Sequence, residues 1–230
     1  MVNTIQTQGI VLGRTDYQES NRIINFLTAD QGKLALMARG VRKPKSKLAA
    51  GIELFSVSSI SFVKGRGDIG TLISARAEET YGNIVKDINR VQCGYGMIKL
   101  LNHSTEDHAE DDYFSALQQA LSALDNQSID TDFIEAWFSA QLLRISGHAP
   151  NLITDSDGQK LSSDDSYTFD IESMCFSAKS SGIFSANTIK SLRLMFSPNK
   201  PQTILKIAGF SDNLHTVISA IRQMQQFHLS

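Results

Sequence analysis

The first 80 residues break into five short apolar segments separated by turn signals, and this segmentation constrains the fold more than any other feature of the chain. IQTQGIVLG (5–13), RIINFLTAD (22–30), KLALMARG (33–40), LFSVSSISFV (54–63) and IGTLISARAEE (69–79) each carry β-branched or alternating apolar residues. Alternation of this kind places one face of a strand in a core. Thr28-Ala29-Asp30-Gln31-Gly32 separates the second segment from the third, and Lys64-Gly65-Arg66-Gly67-Asp68 the fourth from the fifth. Five short strands in about 80 residues fit a small Greek-key barrel such as the OB-fold. An SH3-like barrel fits almost as well, and strand count alone does not choose between them.

Near Tyr81 the period changes. Ile84, Ile88, Val91, Tyr95 and Ile98 recur at spacings of four and three, which predicts an amphipathic helix buried along that stripe. A second helix carries Phe114, Leu117, Leu121 and Leu124 on one face. A third starts at Asp130, Thr131 and Asp132, which offer N-caps. It carries Phe133, Trp137 and Leu142 and stops at Gly147 and Pro150. Further helices are expected over 187–196 and 212–227, with a shorter one over 202–208. The stretch 151–181 is polar and turn-rich, with a short strand at 167–171. The expected architecture is α+β: a five-stranded barrel over 1–80, then a mainly helical domain over 81–230.

Charge is divided unevenly between these parts. The whole chain has a formal net charge of −2, yet residues 1–80 hold 11 basic and 7 acidic side chains against 11 and 17 in the remainder. The positive charge is concentrated in GKLALMARGVRKPKSKLAA (32–50), where Lys33, Arg39, Arg42, Lys43, Lys45 and Lys47 follow one another with no acid between them. Such a run is either a solvated loop or a surface for phosphates, where counterion release supplies most of the affinity. Arg14, Arg22 and Arg66 are candidates for the same surface. Pro44 is expected to keep the segment out of strand pairing. Stacking platforms are scarce, because Tyr17, Phe26, Phe55 and Phe62 are the only aromatics before Tyr81 and the three phenylalanines sit in apolar strands. Binding through this module is therefore expected to be electrostatic and indifferent to base sequence.

Catalytic patterns are missing from the sequence. The five histidines show no HExxH spacing, and neither GxSxG nor a Walker loop occurs. The acidic stretch EDHAEDD (106–112) lies between two helices, where acids favour the N-terminus of the second. Cys93 and Cys175 form no CxxC pair and read as reduced thiols. No apolar run approaches the roughly 20 residues that span a bilayer, and the first residues lack the features of a signal peptide. A cytoplasmic, non-enzymatic protein without a cofactor is expected.

The ordered set Gly9-Ile10-Val11-Leu12, Arg14, Tyr17-x-Glu19, Asn25-Phe26-Leu27-Thr28, Gly32-Lys33, Ala38-Arg39-Gly40-Val41-Arg42 and Lys45-Ser46-Lys47 resembles the RecO family of DNA repair proteins. Leu54-Phe55 and the strand ending Ala77-Glu78 continue the likeness, as does LLRISGHAP (142–150) in the helical part. The resemblance implies an OB-fold followed by a helical domain. It implies binding of single- and double-stranded DNA without sequence preference; from the charge pattern, the residues expected to carry it are Arg14, Lys33, Arg39, Arg42, Lys43, Lys45 and Lys47. Members of the family anneal complementary strands coated with single-stranded-DNA-binding protein and, with RecR, assist RecA loading. RecR and the C-terminal tail of single-stranded-DNA-binding protein are thus expected partners of a chain that is monomeric alone, associates with the nucleoid during repair and needs no membrane. The tail is expected to meet the helical domain, where Arg144 and Arg193 lie near apolar faces.

One departure from the family stands out. Many members carry a four-cysteine zinc site, and the corresponding positions here are Thr154, Asp157, Ser185 and Thr188. Hydroxyls do not build a structural zinc site, so a zinc-free variant is expected. Two other readings of the residues remain open: an OB-type binder of structured RNA, and an interaction scaffold whose basic run is only a solvated loop.

Overall fold

The computed structural model describes residues 4–65, 67–105 and 111–229, with Asp111 through its backbone alone. The chain forms two compact units, Met1–Asp125 and Asn126–Ser230.

In the first unit, the five segments become β1 (Ile5–Tyr17), β2 (Asn21–Thr28), β3 (Lys33–Ala38), β4 (Ser56–Val63) and β5 (Ile69–Thr80). They close into a barrel in the order β1-β2-β3-β5-β4, with β1 and β4 pairing to complete it. Every pairing is antiparallel except β3–β5, where Leu36 faces Gly70 in a parallel register. This closure is that of the OB-fold and decides against the SH3-like alternative. Register shifts in β1 near Leu12 and in β5 let the long strands coil around the barrel. Inside, Val11, Ile24, Phe26, Leu36, Ala38, Ile60, Phe62 and Leu72 form one apolar cluster. Each of the larger side chains there is worth roughly 1.5–3 kcal/mol of burial.

Two helices belong to the same unit, α1 (Ile88–Ser104) and α2 (Asp111–Asp125). Asp87 caps α1, accepting from the Asn89 amide at 2.8 Å. The helix exists where the period predicts it from Ile88 onward, but the expected stripe is buried only in part, at Ile98 and at Ile84 just ahead of the helix. Ile88 and Tyr95 are 68% and 50% exposed, while Arg90, Cys93, Gly94, Met97, Ile98 and Leu101 are buried. The buried set keeps perfect helical spacing; what disguises it is its chemistry. Arg90 is there because its Nη1 donates to the Leu124 carbonyl at 2.7 Å, near the C-terminal end of α2. Gly94 is there because Phe55 lies against it, with no room for a Cβ. On α2 the expected face holds: Phe114, Leu117, Leu121 and Leu124 are all buried.

The second unit is built on α3 (Thr131–Ile145), whose first turn is capped by Asp130 through bonds from the Asp132 and Phe133 amides. Phe133, Ile134, Trp137, Phe138, Leu142 and Leu143 are buried, so α3 is its central element. It packs along α6 (Leu214–His228) and beside α4 (Ala186–Met195). Polar groups on α3 secure the end of α4 and the chain after it: Gln141 Nε2 donates to the carbonyls of Met195 (2.7 Å) and Ser197 (3.0 Å), and Trp137 Nε1 to that of Asn199 (3.0 Å). The short α5 (Pro201–Ile204) opens on a proline, which suits a first helical turn. A small sheet of order β7-β6-β8 completes the unit, from β6 (Ser166–Asp170), β7 (Cys175–Ala178) and β8 (Phe184–Ser185). Tyr167, Phe169, Phe176 and Phe184 pack together on it, so an aromatic cluster holds the turn-rich stretch.

Candidate nucleic-acid interface

The basic run leaves β3 at Ala38 and becomes a loop made of turns, as Pro44 requires. Gly40 takes φ +65°, a left-handed conformation that any side chain would disfavour. Its amide bonds to Asn21 Oδ1 at 2.9 Å, and the Arg42 amide bonds to the Ser20 carbonyl at 3.1 Å. Lys43 and Ser46 close two further turns through bonds to the carbonyls of Gly40 (3.1 Å) and Lys43 (3.0 Å). Apolar anchors pin both sides of the segment: Val41 and Ile52 are buried in the barrel cluster, and Leu48 packs against it. Between these anchors Arg42, Lys43, Lys45 and Lys47 are exposed, as is Arg39 just before them. A backbone held on both sides thus presents five cations to solvent.

Their electrostatic situations differ. Among the described residues, Arg39, Lys43, Lys45 and Lys47 make no ion pair. Arg42 Nη1 is 3.4 Å from Asp16 Oδ2, and Arg22 Nε donates to Asp16 Oδ1 at 2.6 Å. That bond from Arg22, joined by the charges of Arg22, Arg42 and Arg14, holds the Asp16 carboxyl below its ordinary range. Arg14, on β1, pairs with Glu53 at 3.0 Å. Lys33 opens β3, and its Nζ donates to the carbonyls of Asn102 (3.2 Å) and Thr105 (2.8 Å). The structure therefore brings Arg39, Arg42, Lys43, Lys45 and Lys47 into one loop, with Arg22 joined to it through Asp16. Arg14 and Lys33 have other partners, and Arg66 lies outside the described residues. Phe26, Phe55 and Phe62 are core residues, 0%, 3% and 1% exposed, whereas Tyr17 at the β1–β2 turn is 44% exposed.

Asp16 and Glu53 were not among the residues singled out from the sequence. Asp16 was within reach of such reasoning: it stands directly opposite Arg22 in the β1–β2 register, across a turn at 18–20. Opposed charges at such positions attract. Glu53 reaches Arg14 only through the closed barrel, and no local spacing announces it.

In the second unit, Thr154, Asp157, Ser185 and Thr188 take part in turns and a cap. Thr154 Oγ1 accepts from Asn151 Nδ2 at 2.8 Å, and the Asp157 amide donates to Asp155 Oδ1 at 3.0 Å. Ser185 caps α4, accepting from the Thr188 amide at 3.2 Å, with the two hydroxyls 3.0 Å apart. Among the described residues no group of three His, Cys, Asp or Glu side chains is placed to hold a metal ion. Most of the acidic stretch, 106–110, lies outside the described residues. No helix among the described residues is long and apolar enough to cross a membrane.

Comparison with known proteins agrees with this architecture. Residues 1–81 match the family described as Recombination protein O N terminal, and residues 85–230 match Recombination protein O C terminal. The DNA repair protein RecO of Halalkalibacterium halodurans is 33% identical over 148 residues, covering 64% of this chain and 58% of that protein. Its namesake from an Exiguobacterium species is 34% identical over 145 residues (63% and 57%), and that from Listeria monocytogenes 32% over 146 residues (63% and 56%). The matched region spans a little under three fifths of the length of these relatives. With family matches over both the barrel and the helical part, the chain belongs to the RecO family of DNA repair proteins.

Proposed function

We propose that this protein binds single- and double-stranded DNA through the loop 39–47 of its barrel, without sequence preference, and uses that binding to anneal complementary strands. The observation that carries the reading is a loop with a fixed backbone and four cations, Arg39, Lys43, Lys45 and Lys47, that no described acid neutralises. Complementary strands repel through their phosphates, and a basic surface between them lowers that repulsion. Because the module has few exposed aromatics, bases stay free to pair. The role is one of binding rather than of making or breaking covalent bonds. In this reading residues 1–80 are the nucleic-acid module, and 81–230 serve partners.

Those partners are RecR, with which the protein assists RecA loading, and the acidic C-terminal tail of single-stranded-DNA-binding protein. For the tail, we favour a cleft of about 110 Å³ on the second unit, lined by Leu161, Ala186, Ile189, Lys190 and Arg193. It combines apolar walls with two cations, which suits an acidic peptide that ends in an apolar residue. Arg193 Nε also donates to the Leu152 carbonyl at 2.8 Å, so Lys190→Glu is the cleaner probe. Tail-peptide binding that survives this charge reversal would rule the cleft out.

A salt titration tests the main proposal. Replacing Arg42, Lys43, Lys45 and Lys47 with Ala is expected to weaken binding equally for all sequences and to flatten the slope of log K against log salt. The loss is about 0.7 per contact on single strands. Annealing of oligonucleotides coated with single-stranded-DNA-binding protein should fall in parallel. An unchanged slope in a folded variant would leave the run as a solvated loop, and tighter binding to structured RNA at equal salt would favour the RNA reading.

A further inference from the structure

Asp16 stands opposite Arg22 near the turn end of the β1–β2 hairpin, with Tyr17 facing Asn21 in the last pair one step further on. Both of its oxygens are engaged. Oδ1 accepts from Arg22 Nε at 2.6 Å, and Oδ2 lies 3.4 Å from Arg42 Nη1. The two guanidiniums reach it from different directions in the chain, one from β2 and one from the basic loop. The loop itself is tied to the same hairpin by the bonds to Asn21 and Ser20. All three side chains are open to solvent: 52% for Asp16, 32% for Arg22 and 42% for Arg42. Two planar donor groups converging on the two oxygens of one exposed anion also match the non-bridging oxygens of a phosphodiester.

We propose that Asp16 is an internal stand-in for a backbone phosphate, which holds Arg22 and Arg42 together in the free protein and gives them up to a DNA phosphate on binding. This rests on the reading of the loop as a DNA surface. Exposed ion pairs are weak, so the exchange is easily made. Holding the pair converged spares the arriving phosphate the cost of ordering two long side chains. The exchange also limits affinity, because the displaced carboxylate keeps its negative charge beside the bound strand and takes back a cation. A protein that must release strands once they pair is served by such a limit.

The experiment is a salt titration of the full chain on a single-stranded oligonucleotide, comparing wild type with Asp16→Asn. Asparagine keeps the shape and an acceptor oxygen but removes the charge. Binding near 0.15 M salt is expected to tighten several-fold, and the slope to steepen by about 0.7, one net counterion. Adding Arg22→Ala to Asp16→Asn should remove the gain. Glu19→Gln is the control, since it removes one negative charge from the same hairpin without touching either arginine. Equal gains in Glu19→Gln and Asp16→Asn would reduce the effect to net charge and overturn the proposal. So would unchanged or weaker binding in an Asp16→Asn protein that unfolds at the wild-type urea midpoint. If the four-residue loop substitution leaves the slope unchanged, the DNA-surface reading itself fails. If that substitution flattens the slope while Asp16→Asn behaves as the control does, only the exchange is wrong.

Discussion

Lys33 Nζ, at the first position of β3, donates to the carbonyl of Thr105, the residue that ends α1, at 2.8 Å. A second bond, to Asn102 at 3.2 Å, falls within the last turn of the same helix. An ammonium there satisfies carbonyls that have no partner inside the helix and opposes the negative end of its dipole. The residue that sequence groups with the basic loop thus ties the barrel to α1. Lys33→Ala is expected to lower stability by about 1–2 kcal/mol, read as a drop in the urea midpoint. Its effect on the salt slope should be smaller than that of any loop cation. A full loss of one DNA contact with no loss of stability would reverse this assignment.

Gly94 lets α1 approach Phe55. A Cβ at this position would fall 2.6 Å from Cε1 of that ring. The ring has little freedom, since Phe55 is 3% exposed, sits at φ +58° and packs edge-on to Tyr95 with centroids 5.6 Å apart. Helix propensity alone favours alanine by about 1 kcal/mol, whereas forcing an atom into a packed core costs about 1–3 kcal/mol. Crowding is expected to win, with Gly94→Ala destabilised by up to about 2 kcal/mol. Chemical denaturation measures it, and a stabilised variant would mean that the ring swings aside.

Tyr81 gives a pH dependence at the alkaline end. It is 7% exposed, and its Oη donates to Glu79 Oε2 at 2.7 Å. Removal from water, then the bond to Glu79 and the nearby negative charge, push its phenol well above the ordinary value of about 10. The unfolded chain therefore loses this proton first. Stability from Tyr81 is complete below about pH 10 and falls as pH rises beyond it, by at most about 1.4 kcal/mol per pH unit. Tyr81→Phe should show a shallower decline between pH 9.5 and 11 than wild type. Ultraviolet titration should count as many ionising tyrosines over that range in wild type as in Tyr81→Phe. Ionisation of all five tyrosines near pH 10 in the folded protein would contradict this.

Zinc is expected to be substoichiometric in the purified protein, with chelators leaving its melting temperature unchanged. Ser185 and Thr188 serve as the cap and first turn of α4, and Thr154 and Asp157 sit in Asx-type turns. Four positions with one carboxylate and no thiolate make a poor structural zinc site. About one tightly bound zinc per chain, by elemental analysis, would refute the expectation.

What the sequence determined by itself is whatever depends on neighbours along the chain. Alternation and turn residues set the five barrel strands; Asp130 and its periodic apolar residues set α3; Pro44 and Gly40 kept the basic run out of the sheet. Each of these is a preference of a few consecutive residues and survives without knowledge of the rest. Tertiary structure decided what rests on residues far apart. The parallel β3–β5 pairing that distinguishes the OB barrel joins Leu36 to Gly70, and no local pattern specifies it. The buried face of α1 went to Arg90 and Gly94 rather than Ile88 and Tyr95, because a helix end had to be bonded and a ring had to fit. Apolarity predicts which residues gain by leaving water, but it does not register a buried cation with a carbonyl partner or a glycine valued for what it lacks. Charge followed the same rule. Sequence showed where the cations are, and only the fold showed that Lys33, Arg14 and Arg42 have partners while Arg39, Lys43, Lys45 and Lys47 face solvent without a described acid beside them. Electrostatic pairing depends on distance in space, and the barrel sets those distances when it closes.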